Sequence, residues 1–464
     1  MFCACPVEFG AEPNSHTCPI CLGFPGSLPV MNEEALRLTV LTGLMLDCDI
    51  AEISKFDRKN YFYPDMPKNY QISQYNMPLC ANGKVPLHDL AYPKDAQKNI
   101  ATPDKEVHLV RIHLEEDVAK SFHFETSTGI DFNRAGTALM EIVTQPEIVS
   151  PEEAFAFLTS LKQILIYGGV SDADMEKGQL RVDCNVSVRP ESQSELGAKI
   201  EIKNMNSISG VRRALTYEVS RQIEALERGE KLEQETRGWD DASGETFVMR
   251  TKESAHDYRY FPDPDLVPVK TEVLLSNVRS RLPELPKQKR ARFVQQYGVT
   301  AYDAGVLADD LELARYFEQA ARHSKKPKAI ANWILNDMQS ALSAAGKTIN
   351  QCPIPAEALN ELILLIDSGK ISGKQGKEVF TEMFVSGKGA SAIVQEKGIE
   401  QLSDTGAIEK ICDEVIAANP KPASDFKAGN AASLNFLKGQ VMKLSEGKAN
   451  PQVAGEILER KLKA

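Results

Sequence analysis

The chain has 464 residues, 42% hydrophobic and 26% charged, with a formal net charge of −11. That balance fits a folded chain of roughly two to four domains and excludes a basic nucleic-acid coat. No apolar run is long enough to span a bilayer. Met1-Phe2-Cys3 does not open a secretory signal peptide, and no Arg-rich transit segment follows it.

In chain order the first signal is Cys3-Ala-Cys5, twelve residues, then Cys18-Pro-Ile-Cys21. Two cysteine pairs on tight loops can close a tetrahedral zinc site, with Cys3, Cys5, Cys18 and Cys21 as ligands. Such a site has no open position, so it organises the fold and does no chemistry. The competing reading is a disulfide pair or four unrelated thiols. Cys48, Cys80, Cys184, Cys352 and Cys412 are scattered at unpaired spacings, as expected for a reducing cytoplasm.

Up to about residue 270 strands and helices mix. Val110-Arg-Ile-His-Leu-Glu115 alternates with period two, as do residues 181–189 and 199–203. Such strands fit a sheet with one packed and one wet face. An amphipathic helix is predicted from Ser207. Leu282-Pro-Glu-Leu-Pro286 reads as a linker. Helical periodicity then covers 329–345, 356–368 and 373–385. A last small module follows, with Leu434, Leu437, Val441 and Leu444 in one stripe, Gly447 closing that helix, and Asn450-Pro451 opening the next. Residues 421–464 carry eight basic and four acidic groups, so this end is +4 and the rest −15. A cationic module on an acidic body suits local contact with a polyanion, or is simply a Lys-rich helical surface.

Three acidic positions stand out. Glu115-Glu116-Asp117 closes a strand, and Glu141 interrupts the apolar run Ala138-Leu-Met-Glu-Ile-Val143. A carboxylate in such a run is costly unless bound to a cation or paired, with Arg134 the candidate partner. Asp183 and Glu201 lie on polar strand faces beside Lys199 and Lys203. Converging carboxylates are the donor set Mg²⁺ prefers. The competing reading of residues 115–117 is a solvated strand end. The Lys- and Tyr-rich stretch 59–68 and residues 250–262 suit phosphate, adenine or RNA-end contacts, or an ion-paired surface. No P-loop, dinucleotide fingerprint, H-E-x-x-H or nucleophile elbow is present.

Cys18-Pro-Ile-Cys-Leu-Gly-Phe-Pro-Gly26, Lys59-Asn-Tyr-Phe-Tyr-Pro-Asp-Met-Pro-Lys68, His113-Leu-Glu-Glu-Asp117, Asp131-Phe-Asn-Arg-Ala-Gly136, Lys203-Asn-Met-Asn-Ser207 and His256-Asp-Tyr-Arg-Tyr-Phe-Pro262 together resemble the B subunits of aspartyl/glutamyl-tRNA(Asn/Gln) amidotransferases, over the whole chain. The resemblance implies an α+β fold. A mixed or antiparallel sheet forms a cradle-like catalytic domain over 1–285, followed by an all-α domain over 286–400 and a small helical tRNA-binding tail over 401–464. It implies a carbon–nitrogen ligase, part of a heterotrimer with an amidase A subunit and a small C subunit. ATP and Mg²⁺ serve to phosphorylate the side-chain carboxylate of Glu-tRNA(Gln) or Asp-tRNA(Asn), and ammonia released from glutamine then displaces the phosphate. By position, Glu116 and Glu141 become the catalytic metal carboxylates, with Glu115 beside them, and Lys203, Tyr63 and Lys68 become nucleotide contacts.

Three departures from the family pattern follow. The strand Gly-Leu-Glu-Val-His that precedes the region of Phe2-Cys3 is absent, which leaves either an upstream start or a catalytically incomplete tRNA-binding scaffold as a second reading. Val118-Ala119 stands where the family has Ala-Gly, and Ala138 where it has Pro. A third reading, a zinc-bearing RNA-binding module without amidation, has to treat the Glu116, Glu141 and Lys203–Ser207 matches as accident.

Overall fold

The computed structural model describes residues 1–251, 257–399, 405–445 and 449–463. Lys252, Glu253, His256, Gly447 and Lys448, all in stretches singled out above, lie outside the described residues. Two compact units divide the chain, Met1–Pro286 and Lys287–Ala464.

The first unit is built on an antiparallel sheet. Helix α1 (Glu33–Met45) starts at Asn32, whose side chain accepts from the Glu34 amide, and has Glu33 and Glu34 in its first turn. Both features stabilise a helix N-terminus. A Cβ at Gly43 would come within 2.5 Å of Cys80 Sγ, so only glycine lets this helix lie so close to the strand Cys80–Ala81. Strands β1 (Asp57–Asn60) and β2 (Tyr70–Ser73) pair antiparallel. The long β3 (Glu106–Glu116) pairs with β4 (Ala138–Thr144), placing Glu141 opposite His113 and Leu139 opposite Glu115. Val107, Leu109, Ile112 and Leu114 of β3 reach the core.

Helix α2 (Pro151–Tyr167), capped by Ser150, precedes a four-stranded sheet of β5 (Cys184–Val186), β6 (Ile200–Lys203), β7 (Glu235–Asp240) and β8 (Glu245–Thr251). β6 and β7 run parallel, so they need a crossover. Helix α3 (Ile208–Glu227) supplies it, capped by Ser207 as expected. The alternation over 181–189 yields only the three-residue β5, flanked by irregular chain. The short β9 (Phe261–Pro262) then pairs with β1, closing a β9–β1–β2 sheet.

The second unit is helical throughout its described residues. One buried cluster gathers Phe293, Phe317, Ile330, Ile334, Leu359, Leu362 and Val379. The helix expected over 329–345 runs as Pro327–Asn332 and Gln339–Ala344 around a wider turn, Trp333–Met338. Ala356–Asp367 and Gly373–Ser386 match their expected spans, and the latter opens on a Ser372/Gln375 capping box. A separate cluster joins Ile408, Cys412, Leu437, Val441 and Leu458. In that stripe Leu444 stays exposed. The Asn450 side chain accepts from the Gln452 and Val453 amides, opening Pro451–Lys463. Among the described residues no helix is long and apolar enough to cross a membrane.

Candidate metal and nucleotide centre

The end of β3 separates its two glutamates. Side chains alternate along a strand, and the β3–β4 register puts His113, Glu115 and Glu141 on one face. One donor atom from each of these three lies within 4.8 Å of the others. His113 Nε2 stands 3.5 Å from Glu115 Oε2 and 3.6 Å from Glu141 Oε2. Arg111 Nε donates to His113 Nδ1 at 3.3 Å, so a neutral ring carries its proton on Nε2, toward the two carboxylates. Ser73 Oγ donates to Glu115 Oε2 at 3.0 Å. Burial pushes the Glu115 carboxyl upward, but the hydrogen bond and charge of His113, the charge of Lys59 and the Ser73 hydroxyl outweigh it and hold the group below its ordinary value. Glu115 is therefore an anion kept ready in a nearly buried position. Glu141 is not the buried carboxylate its apolar run suggested. Its side chain is 51% exposed, because alternation turns it to the open face while Met140 and Ile142 pack inward.

Glu116 points the other way. It is buried, and both its oxygens accept from Lys68 Nζ, at 2.6 Å for Oε2. The Ile72 amide adds a bond to Oε1 at 2.8 Å, and Gln71 Nε2 holds the Glu116 carbonyl at 2.7 Å. Glu116 is thus not brought together with Glu141. It lines a small cleft with Phe2, Cys3, Cys21, Lys68 and Tyr70. Gly136, at φ +75°, lies where a Cβ would come 3.7 Å from both Cys21 Cβ and Glu116 Oε2, so the cysteine loop and this face are packed together.

Cys3, Cys5, Cys18 and Cys21 converge with their sulfurs within 4.8 Å of one another. Cys18 and Cys21 Sγ are 3.7 Å apart. Two sulfurs on a tetrahedral zinc with bonds of about 2.3 Å stand about 3.8 Å apart. Burial pushes the Cys18 thiol up, but the Cys21 and Ile20 amides donate to it and bring it down to about 7. Burial and hydrogen bonding with Cys18 and Cys3 push Cys5 up to about 12. Four thiols so crowded cannot all ionise unaided, and a divalent cation is the species that makes them do so. All nine cysteines are free, so these four form no disulfide.

The other expected residues have partners or surroundings of their own. Lys203 on β6 pairs with Asp183 and, at 3.3 Å, with Glu201. Burial lowers its pKa, but those two partners outweigh it and raise it. Tyr63 is exposed in the turn between β1 and β2. Arg134 does not meet Glu141. It binds Asp117 at 2.8 Å and the Gly178 carbonyl at 3.1 Å, and Arg181 takes the other Asp117 oxygen at 2.8 Å. Residues 115–117 are all buried rather than a solvated strand end. Sequence reasoning missed His113, although it precedes Glu115 by two and period two alone puts both on one face. It also missed Ser73, whereas Lys59, on the strand paired with that of Ser73, lies in the stretch read as a phosphate or adenine contact.

With this geometry in place, residues 1–275 match the family described as the GatB/GatE catalytic domain, and residues 315–462 the family described as the GatB domain. A protein of Methylacidiphilum infernorum, named as the B subunit of aspartyl/glutamyl-tRNA(Asn/Gln) amidotransferase, is 55% identical over 465 residues, covering 100% of this chain and 95% of its own length. Proteins of the same name from Carboxydothermus hydrogenoformans and Persephonella marina are 50% and 49% identical, each covering 100% of this chain and 95% and 96% of their own. The chain belongs to the GatB/GatE family, the family of the aspartyl/glutamyl-tRNA(Asn/Gln) amidotransferase B subunits.

Proposed function

We propose that this chain acts as the B subunit of a glutamine-dependent Asp/Glu-tRNA(Asn/Gln) amidotransferase, a carbon–nitrogen ligase working with an A and a C subunit in the cytoplasm. The observation that carries the reading is the carboxylate–histidine triad on the open face of β3 and β4, in a chain similar over its full length to proteins of that name. The side-chain carboxylate of Glu-tRNA(Gln) or Asp-tRNA(Asn) attacks the γ-phosphorus of ATP. The bond to the leaving ADP oxygen breaks, and an acyl phosphate forms. Ammonia, which the A subunit releases from glutamine, attacks the acyl carbon and loses a proton. The carbon–oxygen bond breaks, inorganic phosphate leaves, and the amide remains.

Glu115 and Glu141 would hold Mg²⁺, a cation that takes oxygen donors and leaves positions for water and phosphate. When bound, the cation neutralises charge on the transferring phosphoryl group. His113 orients the two carboxylates by its Nε2 proton. Glu116, gripped by Lys68, fixes the strand that carries Glu115. Cys3, Cys5, Cys18 and Cys21 would hold a structural Zn²⁺, which their sulfur spacing fits. We assign residues 1–285 to the chemistry, 286–400 to a helical connection, and 401–464, with its surplus of positive charge, to the outer part of the tRNA. We keep Lys203 and Tyr63 as contacts of the nucleotide, while Lys68 is taken up by Glu116.

The scaffold reading lacks support, since the relatives carry the name of the amidotransferase. The test is amidation of Glu-tRNA(Gln) and Asp-tRNA(Asn) by this chain with its A and C subunits, glutamine and ATP. Amide formation that requires ATP and this chain supports the reading. Binding of the tRNA without amidation of either substrate overturns it.

A further inference from the structure

One face of the β9–β1–β2 sheet collects aromatic rings that the phosphoryl-transfer reading does not use. The register pairs Asp57 with Ser73 and Lys59 with Gln71, and Pro262 with Asp57. Period two therefore puts Lys59, Ser73 and Tyr260 on the same face, with Tyr75 two residues past Ser73. Ser73 is the residue that holds Glu115. The Tyr75 and Tyr260 rings stack with centroids 4.4 Å apart and an interplanar angle of 13°. Tyr258 meets Tyr260 edge-on at 6.1 Å, and Tyr61 meets Tyr258 at 6.3 Å. Lys59 Nζ sits 4.9 Å over the Tyr258 ring.

The outer member of this stack is open. Tyr75 is 62% exposed, while its amide is anchored on Asp57 Oδ2. A second, nearly parallel ring covers one of its faces, and the residue stays largely exposed. Burial first, then the charges of Glu115, Tyr258 and Glu141, push the Tyr260 hydroxyl up to about 12. Ser73, on the same face, bonds Glu115 and so joins this face to the triad. An aromatic stack beside a cationic Lys and a cation-binding carboxylate pair has the parts of a nucleotide seat: a platform for the base and charge for the phosphates.

We propose that an adenine base stacks on the open face of Tyr75, continuing the Tyr75–Tyr260 pile, with Lys59 placed for the attached phosphates. The assignment rests on the ATP reading of the triad. Two substrates of that reading carry an adenine there, ATP and the terminal adenosine of the tRNA.

The test measures binding to the assembled complex of this chain with its A and C subunits. The probes are Mg-ATP, magnesium tripolyphosphate, and uncharged tRNA with and without its terminal adenosine. Tyr75→Ala is expected to weaken Mg-ATP about tenfold, within the range of one base–aromatic stack, and to leave tripolyphosphate unchanged. Tyr75→Phe keeps the ring and should bind as the parent does. Unchanged ATP affinity with a tenfold loss for intact tRNA only, and none for tRNA lacking its terminal adenosine, supports the platform and assigns the base to the tRNA. Loss for neither adenine-bearing probe overturns the proposal, as does an equal loss for tripolyphosphate or the same loss in Tyr75→Phe. A parent complex that binds neither ATP nor tripolyphosphate defeats the ATP reading instead, and the tRNA pair then decides the platform alone.

Discussion

Glu115 and Glu116 are neighbours in the chain and belong to two different regions of the molecule. On one face of β3, Glu115 joins His113 and Glu141 in a cluster whose outer member is half open to water. On the other, Glu116 is closed in by Lys68, the Ile72 amide and the cysteine loop. The first arrangement brings two carboxylates together with one of them half exposed, as binding a cation and a phosphate requires. The second binds both carboxylate oxygens to the protein itself, as holding a strand in place requires. Strand alternation sends adjacent identical residues to different settings, so that a closed brace and an open carboxylate cluster share one backbone.

The largest effect should come from the closed side. Cys18→Ser breaks the proposed zinc site, and loss of a structural metal is among the few changes that cost on the order of 4 kcal/mol or more. Thermal unfolding and metal content should fall together, and a parent protein that purifies without zinc would refute the site. Next, Glu116→Gln leaves Lys68 without its counter-ion in a buried setting, which should cost about 3 kcal/mol. Glu141→Gln, on the open face, should stay within about 0.5 kcal/mol of the parent. Denaturant unfolding of the two variants side by side checks this, and equal losses would erase the contrast drawn between the faces.

A smaller effect tests whether tight closure of a carboxylate is general in this unit. Glu218 of α3 is fully buried and bonded to Arg221, Gln222 and Thr246. Burial alone would raise its pKa, but these partners outweigh it and lower it. A carboxyl that titrates lower in the folded state stabilises above its unfolded value of about 4.3, and this contribution fades as pH falls through the folded value. Glu218→Gln should therefore cost about 2 kcal/mol at pH 7 and progressively less below about pH 4. Unfolding curves across pH 3–7 should converge, and a constant gap would rule out the ionic account. Smallest is the tail. Lys461 pairs with Asp413 and Arg460 with Glu409, whereas Lys421, Lys427 and Lys443 form no ion pair among the described residues. Replacing these three by Gln should reduce the salt dependence of tRNA binding by up to about three in log–log slope. An unchanged slope removes the tail from the interface.

Much of this was legible in the residues. Period two marked β3 and β6, Ser207 and Asn450-Pro451 marked helix starts, and the paired cysteines marked their own convergence. The triad was legible only in part. Which of Glu115 and Glu116 faces Glu141 depends on the register between β3 and β4, a pairing across some twenty-five residues that no local pattern encodes. Arg134 was expected near Glu141 for the same reason, and the fold gives it to Asp117 instead. Lys68 and Lys203 each meet a carboxylate in the fold, a pairing that charge density along the chain does not reveal. Tyr75 carried no signal, since its meaning comes from Tyr260, which reaches it through β9.

The division of labour between the faces is tested most directly by ATP-dependent amidation of Glu-tRNA(Gln). The complex would contain the parent chain, Glu141→Gln or Glu116→Gln, with rates divided by the fraction folded. The predicted result is a loss of about 10²–10³-fold for Glu141→Gln, the size expected when a group stabilising developing charge is removed, and a rate within a few fold of the parent for Glu116→Gln. Full activity in Glu141→Gln together with an inactive, well-folded Glu116→Gln would contradict it and place the chemistry on the closed face.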